Sequence, residues 1–483
     1  MRVLAIDQGT TNTKAVLIDD QGRVVGRAAS PLVTEYPHPG WAEQSASAIW
    51  ASVQDVIARI AADHGTPDAL ALTNQRETLV VWDAQTSEPL CPAPIWQCRR
   101  TAEASARLIA EGHDAAVVAA TGLGINPLFP AGKLAWVLDN INGARDLLSK
   151  GHLRAGTVDS WLLWNLTGGA VFATDHSNAS RTQLFDTDSL RFSPELAEIF
   201  GASVDCLPEP MPSDSLFGST AEGTTALPAG IPIRAMMGDS HAALYGHGVR
   251  QPGTVKATYG TGSSLMVLTP GRTASNHGLS GTIAWTDVRG TAYALEGNIT
   301  VSAQAAAFMA RTLGLKDASA LSDLAQTVPN SGGVSFVPAL AGLGAPHWDD
   351  AARGTITGMT HATTPAHLAH ATFDAIAHQI ADVFAAMEAD TGHPLLGLKA
   401  DGGASANAYL MQLQADLLGK PVEVAQVEEI GALGVAAMAF ASIGHTMPLP
   451  QTADICPPRL SAEERQAARA LWAGALRQAR AGA

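Results

Sequence analysis

Residues 253–270, GTVKATYGTGSSLMVLTP, repeat a pattern that opens the chain in residues 3–22, VLAIDQGTTNTKAVLIDDQG. Each is an apolar strand, a turn rich in glycine and small hydroxyl residues, and a second apolar strand. Two such hairpins, each early in its own half of a 483-residue chain, predict two domains of like construction that grip one polyphosphate from opposite sides. A chain of this length also exceeds what one ordinary core organises. In the first hairpin a strand over residues 3–6 stops at Asp7. A turn of Gly9, Thr10, Thr11, Asn12 and Thr13 follows, with Lys14 behind it and a second strand over residues 15–18. Residues 20–22 turn again into a short strand at 24–25. The first turn is longer and more polar than strand pairing requires. Backbone N–H groups exposed by glycine, with hydroxyls beside them and one lysine, form an anion cradle; a plain solvent-exposed hairpin has the same composition. No G-x-x-x-x-G-K-[ST] loop is present.

Charge and composition limit the partners. The formal net charge of −15 argues against nucleic acid or an anionic membrane, because phosphate backbones are held by clusters of Lys and Arg that are lacking here. No apolar run approaches the roughly 20 residues of a membrane span, and no basic, apolar leader opens the sequence, so a cytoplasmic protein is expected. Cys91, Cys98, Cys206 and Cys456 lie far apart, without disulfide or metal spacing, which fits a reducing compartment.

Two strand-to-helix turns are candidates for chemistry. An apolar strand over residues 231–237 ends at Gly238-Asp239, and a helical pattern begins at Ser240. A second strand ends at Asp401, a Gly402-Gly403 turn follows, and a helix runs to about Leu418. Glycine lets a flat ligand lie close to backbone at such a turn, and a helix N-terminus favours negative charge. An acid at a strand end, as Asp239 is, stands where α/β folds place their reactive groups. In LALTNQRETLVVWD (70–83), Arg76 and Glu77 are adjacent and opposite in charge at the end of an apolar strand. They suit several hydroxyls, one donating and the other accepting, or else form a surface ion pair. Trp96 walls a pocket or fills core, and core is the safer reading from sequence.

The segments AIDQGTTNTKAV, TNQRET, WQCRRTAE, TVDSWLLWNLTGG, TDHSNASRTQLFD, ATYGTGSS, YALEG, GLGAPHWDDAARGTITGMT and DGGASAN occur in that order along nearly the whole chain. This collinear set resembles the FGGY family of carbohydrate kinases, and within it the glycerol kinase branch. The resemblance implies an α/β chain of two ribonuclease-H-like domains of the actin and hexokinase ATPase type, here 1–247 and 248–483, with the active site in the cleft between them. It implies ATP and Mg²⁺, with Thr10, Thr11, Asn12 and Lys14 at the terminal phosphates and Asp7 holding Mg²⁺ through water. Thr261 and Gly262 would form the matching hairpin, with Gly403, Ala404 and Asn407 along the adenosine. Arg76, Glu77, Trp96 and Asp239 match acceptor-binding positions, and Asp239 the catalytic base. The expected partner is a small polyol or sugar, and the expected assembly a homodimer or homotetramer.

The sequence departs from the glycerol kinase pattern at the acceptor pocket. Leu128 stands where that branch has Tyr, Ser264 where it has Phe, and Ser240 rather than Gln follows the catalytic acid. Losing two rings opens room for a tetritol, tetrulose or pentulose such as xylulose, with glycerol itself in question. Ala303 and Ala307 replace a Gly and a Gln beside the nucleotide, which predicts relaxed base selectivity. Residues 222–232 contain no Arg or Lys, so inhibition by a sugar bisphosphate in that loop is not expected. Other readings compete. GDSHA (238–242) imitates a hydrolase nucleophile elbow but lacks the final glycine. His361, His367 and His370 resemble a metal set, though a solvated or capping role is expected of them. A non-catalytic ATP-binding sugar sensor on the same superfold is the main rival. It has no use for a base at Asp239.

Overall fold

The computed structural model describes residues 1–449 and 454–481. Two sheets dominate it. The first places its strands in the order Gly218–Ser219, Pro232–Gly238, Ala69–Asn74, Arg2–Gln8, Asn12–Asp19, Val24–Pro31. Arg2–Gln8 pairs antiparallel with Asn12–Asp19 and parallel with Ala69–Asn74, which is itself parallel to Pro232–Gly238. The second sheet runs Ser280–Asp287, Gly290–Ile299, Ser263–Thr269, Thr254–Tyr259, Gly397–Asp401, Val422–Val424, Asp454–Cys456. Its hairpin strands Thr254–Tyr259 and Ser263–Thr269 are antiparallel, and Thr254–Tyr259 is parallel to Gly397–Asp401. The repeated hairpin thus opens the same strand arrangement twice.

Continuous apolar strands are explained by burial on both faces. Side chains alternate along a strand, so Leu4 and Ile6 join Leu17, Leu70 and the helix Ala46–His64 in one core. Val3 and Ala5 face the other way, into a core shared with Met266 and Leu268 of the second sheet. Between the sheets lie two helices, Asp239–Gly246 and Ile430–Ala441. The latter is late in sequence yet packs against the first sheet, supplying Ala432, Leu433, Val435 and Ala436 to that shared core. The two helices cross where neither has a side chain. A Cβ on Gly434 would stand 1.8 Å from the Ala242 carbonyl oxygen, and one on Gly246 2.2 Å from that of Ile430.

The first turn is shorter than expected. The second strand begins at Asn12, with Gln8 opposite Thr13 and Asp7 opposite Lys14, and the Gly9 N–H donates to the Asn12 carbonyl at 3.0 Å. Asn12, Thr13 and Lys14 are therefore strand residues. Their polarity reflects alternation: Thr13 turns inward to hydrogen-bond Ser52 Oγ at 2.6 Å, while Lys14 is half-buried on the opposite face. The third strand extends to Pro31, well past 25. Asp239, rather than Ser240, is the first helical residue, with Gly238 as its cap.

Candidate active site

The cluster around Arg76, Glu77 and Asp239 is built where the parallel strands of the first sheet end. Beyond Ala69–Asn74 the chain turns through Arg76 to Glu77, whose backbone is left-handed at φ +62°. That conformation costs a non-glycine residue about 1–2 kcal/mol and persists only where surroundings enforce it. The enforcing group is Lys133, fully buried, whose Nζ donates to the Glu77 carbonyl at 3.0 Å and the Leu128 carbonyl at 2.6 Å. Burial brings the Lys133 amine down to about 7.

Arg76 Nε donates to Asp239 Oδ1 at 3.0 Å, and Arg76 Nη2 to Ser240 Oγ at 3.3 Å. Gly238 makes this approach possible, since a Cβ there would come within 2.6 Å of Arg76 Cδ. Asp239 is 43% exposed at its side chain, whereas Arg76 is buried, so the carboxylate faces the cleft and the guanidinium anchors it. Ser240 Oγ donates to Ser264 Oγ at 3.2 Å, which donates to Glu296 Oε1 at 2.8 Å. Glu296 Oε1 and Oε2 lie 2.7 Å from Arg76 Nη1 and from Arg181 Nη2 respectively. Arg181 Nε donates to Glu77 Oε1 at 2.7 Å. Burial alone would raise the Glu296 carboxyl, but Arg181 and Arg76 beside it outweigh burial and hold it well below the usual carboxylate range.

Trp96 is half-buried, not core, and its indole Nε1 donates to Thr10 Oγ1 at 2.9 Å. Thr10 Oγ1 in turn donates to Gln75 Oε1 at 3.2 Å. Its hydroxyl is thus spent joining the hairpin to Trp96 and Gln75, and its carbonyl accepts from Gln44 Nε2 at 2.6 Å. Thr11 and Asn12 are exposed at the turn. Burial, with Asp239 and Glu429 nearby, pushes Asp7 up to about 6 against the opposing pull of Lys14. A carboxylate so reluctant to ionise beside a second one suits a bound cation. Among the described residues no cluster of three or more His, Cys, Asp or Glu is arranged to hold a metal. One or two carboxylates completed by phosphate oxygens and water is the pattern Mg²⁺ accepts, and Asp7 fits it.

The second hairpin turns through Gly260, Thr261 and Gly262, where the Thr261 carbonyl accepts from the Ser302 N–H at 2.9 Å. Gly403 and Ala404 lie in a 3-10 turn, Gly403–Ala406, at the end of the adjacent parallel strand, and the long helix starts only at Ala408. Asn407 caps that helix by accepting from the Leu410 N–H at 3.1 Å, and its amide donates to Ser322 Oγ at 3.0 Å. Both ends of its side chain thus have partners within the second half of the chain.

The hydrolase reading fails on geometry, because Ser240 Oγ serves Arg76 and Ser264 while the buried His241 ring contacts Thr282 Oγ1 at 3.1 Å. The histidine trio is no metal set either: His367 Nδ1 caps the helix Pro365–Thr391 by accepting from the Thr364 N–H at 3.0 Å, and His370 pairs with Asp374. Sequence reasoning assigned no role to Lys133, Arg181 or Glu296. The available signal was a lone charge inside an otherwise apolar segment, as in TAYALEGNI.

Two sheets of one topology, clasping a pair of helices with glycine-rich hairpins at the same strand ends, define the actin and hexokinase class of two-domain ATPase. The chain belongs to the FGGY family of carbohydrate kinases, whose N-terminal domain matches residues 2–246 and C-terminal domain residues 255–443. It is accordingly a phosphotransferase with an alcohol group as acceptor. A glycerol kinase of Symbiobacterium thermophilum is 45% identical over 490 residues, covering 99% of this chain and 98% of that one. An apulose kinase of Pectobacterium atrosepticum is 44% identical over 447 residues, covering 92% and 90%. The crystal structure of Plasmodium falciparum glycerol kinase with ADP superposes with a TM-score of 0.93 at 29% identity, covering 99% of this chain and 98% of that one.

Proposed function

We propose that the enzyme transfers the terminal phosphoryl group of ATP to a hydroxyl of a four- or five-carbon polyol or ketose, with Asp239 as general base. The observation that carries this reading is the Asp239 carboxylate, exposed to the cleft and anchored by Arg76 at 3.0 Å, beside a pocket whose Ser240 and Ser264 hydroxyls meet at 3.2 Å. Relatedness does not choose the acceptor, since relatives of nearly equal identity are named for glycerol and for apulose. The pocket's chemistry favours the more hydroxylated one. The two serine hydroxyls give the pocket a polar floor, and Leu128 stands where the glycerol kinase branch has Tyr. A change of this size shifts selectivity by roughly 1–3 kcal/mol, enough to alter the preferred acceptor but not the reaction.

Phosphoryl transfer passes through a loose transition state, so the protein's work is alignment and charge stabilisation. Arg76 and Glu77 fix the acceptor, and Asp239 orients one hydroxyl and takes its proton as the new P–O bond forms. Thr10, Thr11, Asn12 and Lys14 on one side, with Thr261 and Gly262 on the other, align the phosphates. Gly403, Ala404 and Asn407 border the adenosine. Mg²⁺, held at Asp7, supplies charge neutralisation when bound. Domains of 1–247 and 248–483 and a cytoplasmic homodimer or homotetramer complete the proposal.

The test is a coupled ADP-release assay with Mg-ATP against glycerol, erythritol, erythrulose, xylulose, ribulose and dihydroxyacetone. A four- or five-carbon acceptor is expected to win, and a clear preference for glycerol overturns the pocket argument. Asp239→Asn is expected to lower turnover by about two orders of magnitude or more while ATP binding persists. Wild-type turnover in that variant removes Asp239 from its role.

A further inference from the structure

Two of the collinear sequence segments, TDHSNASRTQLFD and YALEG, contribute buried charges that the transfer step itself does not use. Arg181 and Glu296 are both inaccessible to solvent. With Arg76 and Glu77 they close a square of alternating charge: Glu296 to Arg76 at 2.7 Å, Glu296 to Arg181 at 2.7 Å, Arg181 to Glu77 at 2.7 Å, and Arg76 to Glu77 at 3.9 Å. Three corners come from the first half of the chain. The fourth, Glu296, sits on the strand Gly290–Ile299 of the second sheet.

We propose that Glu296 and Arg181 are positioning residues that jointly set the Arg76 and Glu77 side chains for acceptor binding, and that Glu296 makes this depend on the second sheet being seated against the first. The inference rests on Arg76 and Glu77 holding the acceptor. The square is hard to account for as stabilisation alone. Burying four charges carries a desolvation cost that their mutual attraction barely offsets, and apolar residues of equal volume serve stability as well or better. A guanidinium has one fork, and Arg76 divides it between Asp239 and Glu296. Removing the Glu296 charge frees Arg76 to swing onto Asp239 or Glu77 and so misplaces both acceptor ligands. Arg181 acts likewise on the Glu77 carboxylate, whose backbone Lys133 has already fixed. Ser264, which donates to Glu296 at 2.8 Å, makes the square continuous with the pocket floor.

The test compares wild type with Glu296→Gln, Glu296→Asp and Arg181→Lys, each checked for folding by thermal melting and assayed with erythritol, xylulose and glycerol. For Glu296→Gln the acceptor KM is expected to rise tenfold or more while the ATP KM stays within twofold. Glu296→Asp, which restores the charge on a shorter arm, is expected to recover part of the loss. If Glu296→Gln does not fold, Arg181→Lys carries the test, because it gives up the forked contacts to Glu77 and Glu296 without touching the pocket floor; a rise in acceptor KM alone, of twofold or more, is expected. An acceptor KM within twofold of wild type in folded Glu296→Gln, or equal losses toward ATP and acceptor, overturns the proposal. A wild-type enzyme that phosphorylates none of the three acceptors instead removes the acceptor assignment, and the positioning role falls with it.

Discussion

The glycine crossing between the helices Asp239–Gly246 and Ile430–Ala441 can be tested by a single methyl group. In Gly434→Ala the new Cβ lies 1.8 Å from the Ala242 carbonyl oxygen and 2.8 Å from the Gly246 nitrogen. Both are backbone atoms, so no rotamer change relieves the clash. A carbon and a carbonyl oxygen rest no closer than about 3.3 Å, which requires the helices to part by roughly 1.5 Å along that contact. Overpacking of this kind costs about 1–3 kcal/mol, occasionally more. The helix that must yield carries the proposed base, Asp239, in its first turn, and with Asp239 in that role a displacement near 1 Å is expected to lower turnover by about a hundredfold. Gly431→Ala is the matched control: the same substitution on the same helix puts its Cβ 3.6 Å from the nearest atom, the Asp239 carbonyl oxygen, an ordinary contact. It is expected to keep turnover and to gain up to about 1 kcal/mol in helix propensity. Thermal melting and kcat with the best acceptor, measured for both variants beside wild type, decide the matter. Gly434→Ala with wild-type Tm and a kcat within threefold of wild type would refute the reasoning, since it would mean that the crossing has slack.

Reinstating both rings, as Leu128→Tyr with Ser264→Phe, is expected to shift the ratio of kcat/KM for glycerol over xylulose toward glycerol by roughly 10- to 100-fold; an unchanged ratio on the acceptor panel removes these positions from specificity. Lys133 gives a pH signature. Its amine has a folded value of about 7 against an ordinary 10.5, so between those values the unfolded chain binds the extra proton and stability rises with pH. The stability of wild type relative to Lys133→Met is therefore expected to grow from pH 7 toward pH 10, by at most about 1.4 kcal/mol per pH unit. Parallel pH profiles of Tm for the two proteins would show that Lys133 is not the titrating group.

The doubled hairpin was legible in sequence because it is a local pattern: apolar run, glycine-rich turn, apolar run. Asp239 was legible for the same reason, as an acid at the end of an apolar strand. What could not be read was anything requiring two distant segments at once. Arg181 and Glu296 are 115 residues apart in sequence and 2.7 Å apart in space. The turn at Gly9 was read as too long because polar residues in a strand look like loop until the opposite face is known to meet Ser52. For Trp96 the residues alone left pocket wall and core both open, with core the safer reading, because its partner Thr10 lies 86 residues away in sequence.

The helix Ile430–Ala441 covers a sheet whose own strands are complete by Gly238. The ribosome makes the sheet first and its cover last, with about 190 residues of chain between them. At roughly 5–20 residues per second, the apolar face of Val3, Ala5, Ala69 and Ala71 waits some 10–40 s for Leu433 and its neighbours. During that interval the nascent first half is an unfinished surface, sticky toward its own kind. Its safe passage falls to whatever shields nascent chains in the cell.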